Sequence, residues 1–144
     1  MQVSHSVCTR CVGLIRVLLT GADVTITSRH GYTALHYAAR RGNLGIVQTL
    51  LEHNASVDAQ DCGQLTPLMV AMRTLCLGAN SNDQDTRQRI VEALIVPSTS
   101  INAVDIKGCT ALGIATGTII KGSEKDTPII AASLCIRVIE AGQN

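Results

Sequence analysis

At 144 residues the chain has the length of one domain, enough to bury roughly two thirds of the surface exposed by its unfolded state. A net charge of +1 excludes an overall electrostatic footprint for nucleic acid or an anionic membrane. Apolar residues make up 46% of the chain but the only aromatics are two tyrosines, so the core must be built from aliphatic side chains, alanine and cysteine.

Residues 1–13 contain no basic stretch followed by an apolar one, and no uncharged apolar run approaches the roughly 18 residues of a membrane span. A soluble, intracellular protein is therefore expected, cytoplasmic or nuclear. Its six cysteines, all but Cys8 and Cys11 far apart along the chain, are expected to be reduced thiols. Residues 1–53 hold five of the twelve Lys/Arg, two of the eleven acids and all four histidines, so this end leans basic.

The apolar run from Leu14 to Leu19 predicts a helix ending before Gly21. The next helix is predicted from Thr33, whose hydroxyl can cap it, to Gly42, which offers the left-handed conformation that ends it. Leu44, Val47, Leu50 and Leu51 then recur at helical spacing, and Asn54 stands where a left-handed residue is needed to stop. Further helices are predicted from Pro67 to about Leu77 and from about Thr86 to Val96, joined by a polar turn over 78–85 with Asp85 or Thr86 as cap. A last pair is predicted from Ala111 to about Lys121 and from Pro128 to Ala141.

Three of these helices open on one phrase: Thr33-Ala-Leu-His-Tyr-Ala38, Thr66-Pro-Leu-Met-Val-Ala71 and Thr110-Ala-Leu-Gly-Ile-Ala115. Their threonines stand 33 and then 44 residues apart. The phrase and the 33-residue step resemble the ankyrin family, from about Leu14 to the C-terminus. The resemblance implies an all-α repeat solenoid in which helix pairs alternate with hairpin or loop fingers. The boundaries are an incomplete first repeat over 1–30, a full repeat over 31–63, and repeats over 64–107 and 108–144. The last two repeats are each eleven residues longer between their helices, which predicts extended helices. In the second finger Gly63 comes one residue early, leaving Gln64 in the place of Gly31 and Gly108, so a different bend is expected there. Gly113 replaces the histidine of the first phrase, so the C-terminal repeat is expected to be looser.

Several groups invite a chemical reading. His36 would have to act as a catalytic base, but the resemblance assigns it a structural bond to the finger. His5, Cys8 and Cys11 have ligand-like spacing without the fourth ligand a zinc site needs. Asp83, Asp85, Glu124 and Asp126 read as caps and turn residues, and Asn102 lies eight residues after Leu94, a context in which related fingers are hydroxylated. No phosphate loop, carboxylate dyad or nucleophile–base order stands out. No enzyme activity, cofactor or metal is therefore expected.

What remains is a surface. The resemblance implies partner contacts from finger tips and first helices: Thr27, Arg29, His30, Tyr32, Arg40 and Arg41 in the first full repeat. Gln60, Cys62, Leu65 and Arg73 follow in the second, and Val104, Ile106, Lys107, Cys109 and Thr118 in the third. Arginine and tyrosine are enriched at interface hot spots, so the expected partner is a protein with an acidic segment. The apolar residues Ile129, Ile130, Leu134, Ile136, Val138 and Ile139 leave end-to-end stacking on further repeats, or on a second copy, as the alternative.

Overall fold

The computed structural model describes residues 21, 23–77, 81–115 and 140. Among these residues stand four helices: α1 (Ala34–Arg41), α2 (Leu44–Glu52), α3 (Pro67–Leu77) and α4 (Ser81–Leu94). A helical segment over 111–115 follows, and among the described residues there is no strand. The first repeat's predicted helix lies outside the described residues, as do the His5, Cys8 and Cys11 group, the predicted pair beyond 115 and the 129–139 apolar face.

Helix α1 starts as its sequence requires. Thr33 is extended, its hydroxyl accepts from the His36 N–H, and His36 Nδ1 accepts from the Thr33 N–H, closing a capping box. It stops because Gly42 turns left-handed at φ 75. The Gly42 and Asn43 N–H groups then reach back to the Ala39 and Ala38 carbonyls, a Schellman closure. Asn43 at once caps α2 by accepting from the Ile46 N–H. Asn54 at φ 59 ends α2 by the same closure, with its own N–H on the Leu51 carbonyl and that of Ala55 on Leu50.

The second pair is longer, eleven and fourteen residues against eight and nine. The cause in α3 is a missing stop: one 33-residue step beyond Gly42 stands Leu75, which is buried, and the helix runs on through it. Helix α4 begins at Ser81, five residues before the expected Thr86. An early start sets Asp83 and Asp85 in the first two turns, where the helix dipole favours acids. It ends at Leu94, two residues before the expected Val96, because Pro97 disfavours helical backbone in the residue before it. The Thr99 hydroxyl takes over there, donating to the Leu94 carbonyl at 2.7 Å and accepting from the Val96 N–H at 3.1 Å.

Helix α1 packs on α2 and α3, and α4 on α2 and α3, so the two pairs stack side by side. Between them lie Leu35, Val47, Leu50, Leu68, Met72, Ile90, Val91 and Leu94, all at 1% exposure or less. Ala38, Ala39, Ala111 and Ala115 let the helices of successive repeats approach closely.

Three turns project beside the helices. In each, the fourth residue donates to the carbonyl of the first: Gly31 to Ser28, Gln64 to Asp61 and Gly108 to Asp105. All three fourth residues are left-handed, with φ 76, 59 and 74. The second turn therefore bends like the others, contrary to the sequence expectation. Gln64 takes the strained conformation itself while the Asp61 carboxylate accepts from the Gly63 and Leu65 N–H groups at 2.7 and 2.8 Å.

A Cβ added at Gly31 would sit 3.0 Å from both the Asp61 Cα and the Cys62 nitrogen, whereas one added at Gly108 meets nothing within 4 Å. Gly31→Ala and Gly108→Ala both force alanine into a left-handed backbone, worth about 1–2 kcal/mol. Chemical denaturation should show a further loss of about 1 kcal/mol or more for Gly31→Ala, from overpacking against the second finger's backbone. Equal losses would mean that this close approach is not limiting.

Candidate partner-binding surface

The tips are stitched into a row by their backbones. The Cys62 N–H donates to the His30 carbonyl at 3.0 Å, and the Ile106 N–H donates to the Gly63 carbonyl at 3.1 Å. The second residue of each tip thus pairs with the third residue of the tip before it. This register aligns Arg29 with Cys62 and Ile106, and His30 with Gly63 and Lys107. Tyr32, Leu65 and Cys109 align just before the three capping threonines.

His36 braces the row from beneath. It is fully buried, and its Nε2–H donates to the Leu65 carbonyl at 2.9 Å. Nδ1 lies 2.9 Å from the Thr33 hydroxyl and accepts from the Thr33 N–H at 3.2 Å. With a carbonyl on one nitrogen and donors on the other, the ring is neutral and carries its proton on Nε2. Burial holds its pKa below the usual 6.5, against smaller opposing effects of the Leu65 carbonyl and the Asp61 charge. The histidine is thus a strut between α1 and the second finger.

Arg29, His30, Gln60, Cys62, Ile106 and Lys107 are exposed on the tips, with Thr27 and Val104 beside them. Tyr32, Leu65 and Cys109 are half-buried at the tip bases. Arg40, Arg41 and Arg73 are exposed on α1 and α3. Arg40 and Arg41 stand at the far end of α1 from Tyr32, roughly 10 Å along the axis at 1.5 Å per residue, so they extend the strip rather than join the tips. Among the described residues no ion pair or hydrogen bond engages the guanidinium groups of Arg29, Arg40, Arg41 or Arg73. Thr118 lies outside the described residues.

One surface residue escaped the sequence reading. Tyr37 is 44% exposed and its ring lies 5.3 Å from that of Tyr32, which also meets His36 edge-on at 5.5 Å. The signal was present: Tyr32 and Tyr37 flank the Thr33 cap at the spacing of a hydrophobic staple.

Elsewhere, a shallow cleft of about 440 Å³ is lined by Leu51, Asn54, Val57, Asp58, Val96 and Ser98, among others, and by none of the expected contact residues. Asp58 is its sole ionisable group, and both its oxygens are engaged, by the Ser100 N–H and hydroxyl at 2.9 Å each. Asn102 is exposed. Among the described residues no three His, Cys, Asp or Glu side chains converge as metal ligands, and no helix is long and apolar enough to cross a membrane.

Residues 5–85 match the family described as Ankyrin repeats (3 copies). The chain is 38% identical over 82 residues to Palmitoyltransferase ZDHHC17 of Danio rerio, covering 56% of this chain and 13% of that protein. It is 38% identical over 68 residues to the B-cell lymphoma 3 protein homolog of Mus musculus, covering 46% and 15%. It is 45% identical over 51 residues to Potassium channel AKT1 of Oryza sativa subsp. japonica, covering 35% and 6%. The chain thus spans less than a sixth of the length of these relatives.

The His36 strut fixes a pH dependence. The unfolded chain binds a proton near pH 6.5 and the folded one only at lower pH, so stability is complete above about 6.5 and falls as the solution is acidified. His36→Ala should lose about 1–3 kcal/mol at neutral pH, from a carbonyl and an N–H left without their partner. Its melting temperature should also decline less than the wild type's between pH 7 and pH 5. An equally steep acid decline in the variant would exclude the strut as its source.

Proposed function

The chain belongs to the ankyrin-repeat family, and from that premise we propose that it is a non-catalytic protein-binding module holding an acidic segment of a partner along its finger tips and first helices. Ankyrin repeats are protein-interaction modules. The observation that carries the finer reading is the row of tips joined backbone to backbone, beside arginines that no acidic group of the described chain neutralises. A planar guanidinium can pair with a carboxylate through two parallel N–H···O bonds, and the backbone that carries it here is already fixed. Arg29, Tyr32, Arg40 and Arg41 form its first contact region, with Tyr37 added, and Gln60, Cys62, Leu65, Arg73, Ile106, Lys107 and Cys109 continue it.

A second reading is a segment of a longer repeat array or the regulatory part of a larger enzyme or channel. It is supported by the small share of each relative that the chain spans, 6% to 15%. The reading frame on either side of this sequence decides it.

The test of the first reading is the double reversal Arg40→Glu, Arg41→Glu. Affinity capture from the native cell should recover a partner with the wild type and lose it with the variant, at least tenfold in affinity or about 1.4 kcal/mol. Helix content should persist, with a stability loss of about 1 kcal/mol from placing acids at the negative end of α1. Undiminished capture by a folded variant would refute this site.

A further inference from the structure

The arginines set back from the tips gather at one end of the first helices. Arg40 and Arg73 stand at equivalent positions, each seven residues after its capping threonine, Thr33 or Thr66. Both are exposed, Arg41 is exposed beside the first, and α1 packs directly on α3. Packed helix axes lie roughly 8–10 Å apart, a distance that two extended arginine side chains together span. A fourth guanidinium enters from α4: Arg87 Nη1 donates to the Thr74 carbonyl at 3.2 Å, and its Cζ lies 3.9 Å from where a Cβ on Gly42 would stand. It therefore bridges the residue after Arg73 and the residue after Arg41. Neither α1 nor α3 contains an acidic residue, and among the described residues no carboxylate pairs with Arg40, Arg41 or Arg73. The Gly42 and Asn43 N–H groups already occupy the Ala39 and Ala38 carbonyls, so the end of α1 does not need these arginines as hydrogen-bonding caps.

We propose that this cluster is a phosphoryl-binding site: the acidic segment of the partner carries a phosphorylated side chain whose dianion sits between Arg40 and Arg73, with Arg41 and Arg87 beside them. This rests on the reading that the chain holds an acidic partner segment, and names the group that the arginine end of α1 and α3 receives. Charge selects phosphoryl over carboxylate. Guanidinium groups drawn from three helices to one place repel one another, and a single carboxylate answers only one of them. A phosphoryl group brings a charge of about −1.5 to −2 and three acceptor oxygens on one atom, which forks from different helices share. Carboxylates of a peptide are spread over successive residues instead, an arrangement that follows the row of tips and not a point behind it. A net charge of +1 argues against nucleic acid as the source of the phosphate, since holding a phosphate chain takes many cationic contacts.

Peptide pools with degenerate flanks and a fixed central phosphoserine, phosphotyrosine, glutamate or serine test this on the immobilised full chain. A phosphorylated pool should be retained about tenfold or more above the glutamate pool, and the glutamate pool above the serine pool. The double variant Arg40→Lys, Arg73→Lys keeps the charge but removes the planar forks, so that preference should fall below about threefold while retention of the glutamate pool holds. Both side chains are exposed, and circular dichroism should report unchanged folding. Equal retention of the phosphorylated and glutamate pools, or a preference that survives the double variant, overturns this inference and leaves the proposed function standing. Tighter retention of a single-stranded oligonucleotide than of either phosphorylated pool assigns the cluster to nucleic acid and overturns it too. Retention of no pool above the serine pool overturns both readings.

Discussion

The first finger can lie against the second because the last residue of its turn is left-handed and bare on the side facing its neighbour. Gly31 meets both conditions, and the second finger's backbone comes within 3.0 Å of where a Cβ would be. That approach lets the Cys62 N–H reach the His30 carbonyl, and it sets the Leu65 carbonyl over His36. One contact of backbone on backbone therefore couples the turn, the capping box of α1 and the stacking of the helix pairs. Gln64 satisfies the angle without being glycine, and it can do so because Asp61 holds the turn's N–H groups from within.

Helix length varies without disturbing that contact. The extra residues of the second pair lie at the ends of α3 and α4 remote from the finger, where Leu75 stands in place of the Gly42 stop and α4 starts early at Ser81. The insertion leaves the Thr66 cap, with the turn before it, in the register of Thr33. A 33-residue step and a 44-residue step can thus produce the same tip geometry. The Asp58 and Ser100 pair is another contact between fingers: the Asp58 carboxylate of the earlier finger accepts from the N–H and hydroxyl of Ser100 in the later one.

Most of the architecture was legible because it is written in residues with narrow conformational choices. Thr33, Gly42 and Asn54 each do at their position what their side chains or lack of one dictate, and the repeat of one phrase located the helices that follow. The boundary at α4 was not legible, since 81–86 contains five residues, of four types, able to begin a helix. The second finger misled for a different reason. Gly63 suggested a shifted turn, but stacking on the first finger imposed the common register and left the angle to Gln64. Tyr37 was overlooked because it lies inside the phrase, where a residue reads first as core. Its partner across the cap is the half-buried Tyr32, which leaves one edge of the pair in water.

The tip side chains are free to differ because none of them builds the tip. Turn closure uses main-chain groups, the ladder between fingers uses main-chain groups, and the supporting carboxylates of Asp61 and Asp105 occupy the first turn position rather than the exposed second and third. An arginine, a cysteine and an isoleucine consequently occupy equivalent places on nearly identical backbone. The tips are built by main-chain atoms and the carboxylates beneath them, so the outer surface can change chemistry from one finger to the next while the stack beneath it stays constant. On the proposed reading, selectivity for a partner comes from the sequence of side chains along the row rather than from a pocket.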